Sequence, residues 1–205
     1  ILAAKGPHFS SGHDLRESGP MKKSAAHRPI GTWTGYSGSG HEAMHGREKD
    51  LYFGLSERWR NFAKPTIAQV QGKVISGGLM LVWPCDIIIA ADNASFQDNT
   101  ILMGIPGVEW FGNPYEYGPR KAKELLFTAD FISAEDAKGL GAVNHVVPAA
   151  ELEDFTLAMA RKIADKSGYA LKLAKEAINN GMDLTLDQGL RLEADLYFLL
   201  HTTKD

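Results

Sequence analysis

Apolar residues follow two spacings along this chain, and the change between them predicts the order of its elements. Continuous runs of β-branched and small apolar residues at 66–70 and 85–90 are typical of buried strands. Between these runs, a Ser-Gly-Gly turn at 76–78 precedes the apolar segment 79–83, which predicts a short buried helix. Strand, glycine turn, helix and strand in this order indicate an α/β fold.

Helical spacing dominates the rest of the chain. Apolar residues at intervals of three and four predict helices over about 51–62, 149–166, 168–180 and 184–201, with a last strand over 142–147. The final helix is apolar on more than one face, which usually requires a partner subunit.

One long segment does not fit either spacing. Residues 16–50 are rich in Gly, Ser, His and Lys, and their only aromatic residues before the predicted helix are Trp33 and Tyr36. We interpret this segment as a long loop, because loops of this length are usually functional or mobile.

The same segment contains a metalloprotease-like motif. His41-Glu42-Ala43-Met44-His45 fits the H-E-x-x-H pattern, in which two histidines bind zinc and the glutamate acts as base. That pattern requires a continuous amphipathic helix, whereas Gly40 and Gly46 flank the motif here. We therefore interpret it as part of a polar loop, and a zinc hydrolase built on His41 and His45 stays a remote alternative.

Composition excludes several classes of protein. With 205 residues, 44% of them hydrophobic and 23% charged, the chain has the composition of a folded globular protein. A net charge of -3 argues against nucleic acid as the main partner. The single cysteine, Cys85, cannot form an internal disulfide, and the longest apolar stretch is interrupted by Pro84 and Asp86. We expect a cytoplasmic protein that binds neither membranes nor nucleic acid.

Two small-residue turns are candidates for chemistry. The first follows the strand-like start of Phe9-Ser10-Ser11-Gly12-His13-Asp14-Leu15, and the second is the 76–78 turn at a helix N-terminus. Together their backbone N–H groups could form an oxyanion hole, which stabilises a carbonyl oxygen as it becomes an anion. Taken singly, each turn is better explained by glycine's tolerance of positive φ or by close packing than by an oxyanion hole.

The order of the motifs identifies a family resemblance. From Ile1 to the end, the chain resembles the crotonase (enoyl-CoA hydratase/isomerase) superfamily. The resemblance rests on Phe9-Ser10-Ser11-Gly12-His13-Asp14-Leu15, Lys64-Pro65-Thr66-Ile67-Ala68, Gly72 with Ser76-Gly77-Gly78, Cys85-Asp86-Ile87, Ala94-Ser95-Phe96, Gly104-Ile105-Pro106-Gly107, and Phe131-Ile132-Ser133-Ala134-Glu135-Asp136-Ala137 followed by Gly141.

The resemblance implies a fold and an assembly. It implies an α/β core made of a spiral of ββα units over residues 1–147, with the loop at about 16–50 as an insertion. Because that region borders the acyl pocket in relatives, the insertion is a candidate lid. Residues 148–205 would form a helical trimerisation region that builds a homotrimer or a dimer of trimers.

The resemblance also implies a site. Its substrate would be a coenzyme A thioester, with no separate cofactor and no metal, and the oxyanion donors would be the N–H groups of His13 and Gly77. The residues expected to contact the substrate are Ser11, Gly12, Asp14, Gly78, Met80, Thr100 and Tyr115.

The chain departs from the family at its acid and base. Hydratases of this family use two glutamates at positions that here hold Met80 and Thr100. The best replacement is Glu109, because other members place an acid, base or nucleophile in the loop after the Gly-Ile-Pro-Gly motif. Beside Trp110 and Phe111, its carboxyl group could be desolvated, which would raise its pKa; an exposed loop glutamate is the equal alternative.

These residues predict an acyl-CoA-processing enzyme of the enoyl-CoA hydratase/isomerase type, a lyase that stabilises a thioester enolate. The alternatives are a thioester hydrolase or C–C bond hydrolase of the same fold, and an acyl-CoA-binding relative without activity. Loss of both family glutamates keeps the last alternative open.

Overall fold

The structure is a computed structural model that describes residues 1–14 and 40–201. Its strands are β1 (Leu2–Ala3), β2 (Ile67–Val70), β3 (Lys73–Ile75), β4 (Ile87–Ala91), β5 (Ser95–Gln97), β6 (Ile132–Ser133) and β7 (His145–Val147). Its α-helices are α1 (His41–Glu48), α2 (Gly54–Arg60), α3 (Leu79–Val82), α4 (Asn113–Tyr117), α5 (Pro119–Thr128), α6 (Ala134–Gly139), α7 (Leu152–Ala164), α8 (Gly168–Gly181) and α9 (Leu186–Leu200).

Two small sheets form the centre of the described chain. The first is entirely parallel, with the order β1-β2-β4-β7, and Ile67 of β2 pairs with Ile87 of β4. In the second sheet β3 is parallel to β5, and β5 is antiparallel to β6. The predicted strands at 66–70 and 85–90 are thus confirmed as neighbouring parallel strands, β2 and β4. Their continuous apolar runs reflect burial on both faces of the sheet.

The main core lies between the two sheets and the short helix α3. Val70, Val74 and Phe96 are almost completely buried there, and the Trp83 ring lies against Phe96 with centroids 5.2 Å apart. The predicted buried helix at 79–83 is confirmed as α3, which continues directly from a 3₁₀ turn at Ser76–Gly78. The core therefore fixes the position of the 76–78 turn.

The expectation of a loop up to residue 50 is wrong at its C-terminal end. A continuous helical segment runs from α1 through a π-helical stretch, Lys49–Phe53, into α2, so the helix predicted at 51 begins ten residues earlier. Packing explains the difference, because Ala43 and Asp50 are buried against the rest of the fold. The remainder of the predicted insertion, with Trp33 and Tyr36, lies outside the described residues.

The C-terminal helices were predicted correctly in number and place. Helix α7 packs on β2 and β4, where Leu152 joins Ile67 and Ile89 in a second apolar cluster. Helices α8 and α9 pack on each other, and Lys175 of α8 reaches back to Asp86 with a 2.8 Å ion pair. Within residues 1–14 and 40–201, no helix combines the length and apolarity needed to cross a bilayer.

Candidate functional site

Two backbone segments meet beside β3. Ser10 forms a parallel bridge with Val74, and the N–H of Ile75 donates to the carbonyl oxygen of Ser10 at 2.9 Å. The chain at 9–10 therefore runs as a short extra strand along β3. The turn that follows it, at 11–13, lies next to the turn that follows β3, at 76–78.

Glycine allows these two turns to approach each other. Gly12 has φ +85°, and a Cβ atom there would lie 3.2 Å from the backbone nitrogen of Gly77. A Cβ atom on Gly78 would lie 2.9 Å from the Ser10 Cβ. Side chains at either position would push the two segments apart, so close approach explains both glycines.

The two expected oxyanion donors lie at this junction. His13 is exposed and Gly77 is half-buried, and within the described part of the chain neither backbone N–H donates a hydrogen bond. A Cβ atom on Gly77 would lie only 2.9 Å from the His13 Nδ1, which shows how near the two residues are. We call this junction, residues 10–13 and 76–78, the oxyanion corner.

A strained residue holds the second turn of the oxyanion corner. Ser76 has φ +43°, in the left-handed region that costs a non-glycine residue about 1 kcal/mol or more. Its hydroxyl donates to the Asn99 Oδ1 at 2.6 Å and accepts from the Asn99 N–H at 3.3 Å. These hydrogen bonds keep the backbone of Ser76 in that conformation.

A buried polar network continues from Asn99. The Thr100 hydroxyl donates to Asp98 Oδ1 at 2.7 Å, and Asn113 Nδ2 donates to Asp98 Oδ2 at 3.1 Å. Trp83 Nε1 in turn donates to Asn113 Oδ1 at 3.0 Å. The hydroxyl of Thr100, which was expected to contact substrate, is thus bonded within a buried network that supports the oxyanion corner.

Met80, another expected substrate contact, is also buried. Its sulfur accepts the Trp110 N–H at 3.5 Å, and its carbonyl oxygen accepts the Ser56 hydroxyl at 2.9 Å. Met80 therefore links α3, the helix that follows the 76–78 turn, to α2 and to the loop that carries Glu109. Tyr115, by contrast, is 80% exposed on α4.

The environment of Glu109 matches the second of its two predicted alternatives. Val108 is buried, but the side chain of Glu109 is exposed, so Glu109 is an exposed loop glutamate and its apolar neighbours do not desolvate it. Glu109 instead lies within hydrogen-bonding reach of a second carboxyl group, that of Glu48 at the end of α1. Burial and the neighbouring Glu109 raise the pKa of Glu48 to about 7, although Arg47 opposes the shift.

An aromatic pair connects the carboxyl groups to the oxyanion corner. Tyr52, one helical turn after Glu48, lies against the His13 ring with centroids 4.4 Å apart. Burial, followed by the charges of Glu48 and Glu109, raises the pKa of the Tyr52 phenol. These four side chains therefore form one cluster, which we call the acid face.

Sequence reasoning missed Glu48 and Tyr52. Both lie in or directly after the segment that was interpreted as a loop. A glutamate in such a loop gives no indication of a role in the site. Their spacing of four residues was the available signal, because it places two side chains on one face of a helix.

The H-E-x-x-H motif is helical, so its interpretation as part of a polar loop is wrong. His41 and His45 are exposed on α1. Among residues 1–14 and 40–201, no three side chains of His, Cys, Asp or Glu lie close enough together to hold a metal ion. The described residues therefore provide no third ligand to complete a zinc site at this motif.

A cleft of about 730 Å³ adjoins the acid face. Phe53 and Trp110, whose rings are 5.3 Å apart, form part of its wall, and Phe111 and Tyr115 continue that wall. Burial raises the pKa of Glu116, inside the cleft, to about 7, and the positive charge of Arg60 opposes the shift. The cleft is large and aromatic enough for an apolar ligand group.

Comparison with known proteins identifies the family. The model of the family described as enoyl-CoA hydratase/isomerase matches residues 36–205. The putative enoyl-CoA hydratase EchA13 of Mycobacterium tuberculosis is 42% identical over 205 residues, covering 98% of this chain and 64% of that protein. Crotonyl-CoA hydratase of Syntrophomonas wolfei is 41% identical over 147 residues, covering 69% of this chain and 55% of that protein.

Solved structures agree on the fold. A probable enoyl-CoA hydratase from Mycobacterium thermoresistibile superposes with a TM-score of 0.75 and 43% identity, covering 96% of this chain and 72% of that one. Enoyl-CoA hydratase from Bacillus anthracis gives a TM-score of 0.82 and 31% identity over 99% of this chain and 72% of that one. The chain belongs to the enoyl-CoA hydratase/isomerase family, and the expected α/β crotonase fold is confirmed. It spans less than two thirds of the length of the two curated relatives named above.

Proposed function

We propose that this protein processes acyl-CoA thioesters by the chemistry of enoyl-CoA hydratases and isomerases. The observation that carries the proposal is the oxyanion corner, where two glycine-containing turns bring His13 and Gly77 close together, and among the described residues neither backbone N–H has an acceptor. Two donors fixed in advance of the reaction stabilise a thioester oxygen most when it becomes an enolate.

The other residues expected to contact the substrate fall into three groups. Ser11, Gly12, Asp14 and Gly78 belong to the turns or adjoin them, and would shape the backbone around the thioester. Tyr115 lies on the wall of the cleft, and we assign the cleft to the acyl chain. Met80 and Thr100 act indirectly, because their buried contacts position the loop and turn on which the site depends.

Glu109 would move the proton that the reaction requires. Its carboxyl group is exposed to water, and the loop that carries it, whose next residue Trp110 lines the cleft, is bonded to Met80, three residues beyond Gly77. General acid–base catalysis by a positioned carboxyl group contributes about 10²–10⁴ in rate. The site requires no separate cofactor for this chemistry.

The test is turnover of short, long and cyclic 2-enoyl-CoA esters by the full-length protein, followed by loss of the conjugated-thioester absorbance. Gly12→Ala should lower kcat/KM about 10²-fold, the effect of losing one oxyanion donor, because its Cβ would press against the Gly77 nitrogen. Gly6→Ala is the matched control, since Gly6 also has positive φ but nothing within 4 Å of an added Cβ.

Other outcomes assign other activities. Release of free coenzyme A without hydration would replace the proposal by thioester hydrolysis, in which the same donors stabilise a tetrahedral anion. Cleavage products of the acyl group would indicate C–C bond hydrolysis. Acyl-CoA binding without any turnover would identify a non-catalytic relative.

We propose further that residues 148–205 mediate assembly into a homotrimer or a dimer of trimers. Helix α9 exposes Leu186, Leu190 and Phe198 by 80%, 57% and 66%, a costly arrangement in water. Light scattering of the full-length protein should give three or six copies in a particle, and a monomer would contradict the proposal. We assign the protein to the cytoplasm, in keeping with its single thiol.

A further inference from the structure

We propose that Glu48 and Glu109 share one proton and act together as the acid and base of this site, in place of the paired glutamates that Met80 and Thr100 replace. This inference rests on the proposed function, since it names the proton carriers of that same site. It adds Glu48, a residue that the family motifs do not include, to the catalytic residues.

Packing of the helix supports the placement of Glu48. Three contacts tie the helical segment 41–60 to the site: Tyr52 against His13 with centroids 4.4 Å apart, Phe53 against Trp110 at 5.3 Å, and the Ser56 hydroxyl on the Met80 carbonyl oxygen at 2.9 Å. These contacts follow one another along the helix toward its C-terminus, and Glu48 lies one turn before the first of them. The helix that carries Glu48 is therefore held against the oxyanion corner and the Glu109 loop by contacts that do not involve the charge of Glu48.

Two carboxyl groups within hydrogen-bonding reach cannot both ionise at low cost, because like charges at that distance repel strongly. The half-buried Glu48 is the member that retains the proton, while the exposed Glu109 is better solvated as a carboxylate. A pKa of about 7 for Glu48, caused first by burial and then by Glu109, agrees with this assignment.

Two charged side chains act on Glu48. Arg47, adjacent to Glu48 on α1, favours the ionised form, whereas Glu109 on the facing loop opposes it. The phenol of Tyr52 lies near both carboxyl groups, and its raised pKa keeps it neutral. Because the two carboxyl groups interact, a change at Glu109 should alter the pKa of Glu48.

A shared proton is sufficient for hydration of a 2-enoyl thioester. Ionised Glu109 takes a proton from water as the water oxygen bonds to C3. The C2=C3 π electrons form a C1=C2 double bond, and the C1=O π electrons move to the thioester oxygen, held by His13 and Gly77. The C1=O bond of the enolate then re-forms as protonated Glu48 gives its proton to C2. A water O–H bond, the Glu48 O–H bond and the C2=C3 π bond are broken, and O–C3, C2–H and Glu109 O–H bonds are formed. The pair still holds one proton, which passes from Glu109 back to Glu48 before the next turnover.

The experiment compares Glu48→Gln, Glu109→Gln and the double variant in the full-length protein, with Glu42→Gln as control. Glu42 is an exposed glutamate in the first turn of the same helix, so its substitution should leave kcat/KM unchanged. Each single variant should lose about 10²–10⁴ in kcat/KM. The double variant should lose little more than either single variant, because residues that act as a unit give non-additive losses.

A second measurement does not depend on turnover. Carboxyl-carbon NMR should find the pKa of Glu48 at about 7, and Glu109→Gln should lower it, since one of its two main causes is removed. A pKa near the ordinary 4.5 for Glu48 in the wild-type protein would overturn the shared proton.

The two measurements separate the two proposals. If the wild-type protein turns over no acyl-CoA ester but Glu48 titrates near 7 and responds to Glu109→Gln, the proposed function fails and the proton-sharing pair stands. If turnover is normal and Glu48→Gln retains it, the function stands and the catalytic role of Glu48 is overturned. Additive losses in the double variant would also overturn the pair.

Discussion

The oxyanion corner and the acid face lie side by side but are built in different ways. The corner is made of backbone, from two turns whose glycines permit close approach and whose N–H groups carry no charge. The acid face is made of side chains from a helix and a loop, about 60 residues apart in sequence. Its properties depend on burial and on neighbouring charges, both of which vary with small shifts of the helix.

This difference teaches which part of such a site can change. An oxyanion corner tolerates almost no substitution at Gly12 or Gly78, because an added Cβ would meet main-chain or short side-chain atoms at 2.9–3.2 Å. A carboxyl group carried by any of several helices or loops can serve the same pocket, provided that its oxygen atoms reach the reacting carbon. Met80 and Thr100, the positions at which the family resemblance implies glutamates, are buried and bonded to the surrounding structure.

The largest expected effect tests the rigidity of the oxyanion corner. Gly78→Ala places a Cβ atom 2.9 Å from the Ser10 Cβ and 3.1 Å from the Ser10 carbonyl oxygen, so the two turns must separate. We expect kcat/KM to fall at least about 10²-fold, the effect of one lost donor. Gly139→Ala, on an open helix surface with nothing within 4 Å, is the control. Near wild-type activity in Gly78→Ala would show that the oxyanion corner adapts to an added Cβ atom and is not rigid.

The next effect tests the network that supports the corner. Asp98→Asn keeps one acceptor oxygen but places an NH2 group where the second oxygen accepted, so either Thr100 or Asn113 loses its acceptor and faces a donor. Urea unfolding should show a loss of about 2–4 kcal/mol, the usual range for a broken buried polar network. Asp187→Asn, in a pair on the surface of α9, should change stability by less than about 0.5 kcal/mol. Equal effects of the two variants would mean that the network contributes nothing.

A smaller effect concerns the pH dependence of stability, which the backbone of the oxyanion corner does not contribute to but buried carboxyl groups do. Glu48 and Glu116 have pKa values of about 7 when folded against 4.5 as model values, so the folded protein binds more protons between those limits. Stability should therefore fall as pH rises from about 4.5 to 7. Glu48→Gln and Glu116→Gln should each flatten the dependence of the melting temperature on pH, whereas Glu42→Gln should not. A stability that rises over this range would contradict both raised pKa values.

The smallest effect concerns the strained residue of the corner. Ser76→Gly relieves the cost of φ +43° but removes both hydrogen bonds to Asn99. Because these contributions oppose each other, unfolding should show a net change within about 1 kcal/mol. Turnover should fall less than about 10-fold, since the Gly77 N–H remains. A loss as large as that of Gly78→Ala would assign the serine hydroxyl a direct part in the site.

Much of the fold and half of the site could be predicted from the sequence. The apolar runs of β2 and β4, the helix after the 76–78 turn and the three C-terminal helices are local patterns, and all were found where predicted. The two turns at 11–13 and 76–78 were also predicted from their small residues, and the structure places them side by side. Their assignment as an oxyanion hole stays a prediction that comes from the family resemblance.

The acid face depended on the tertiary structure. The glycines at 40 and 46 and the polar residues between them predicted a loop, yet burial of Ala43 and Asp50 stabilises a helix there. Only that helix brings Glu48 to Glu109. The sequence determined where the two glycine-containing turns lie, since turns follow from local conformation. Which carboxyl groups face those donors, and which of them keeps a proton, is decided by packing, since burial and charge proximity arise only when distant segments meet.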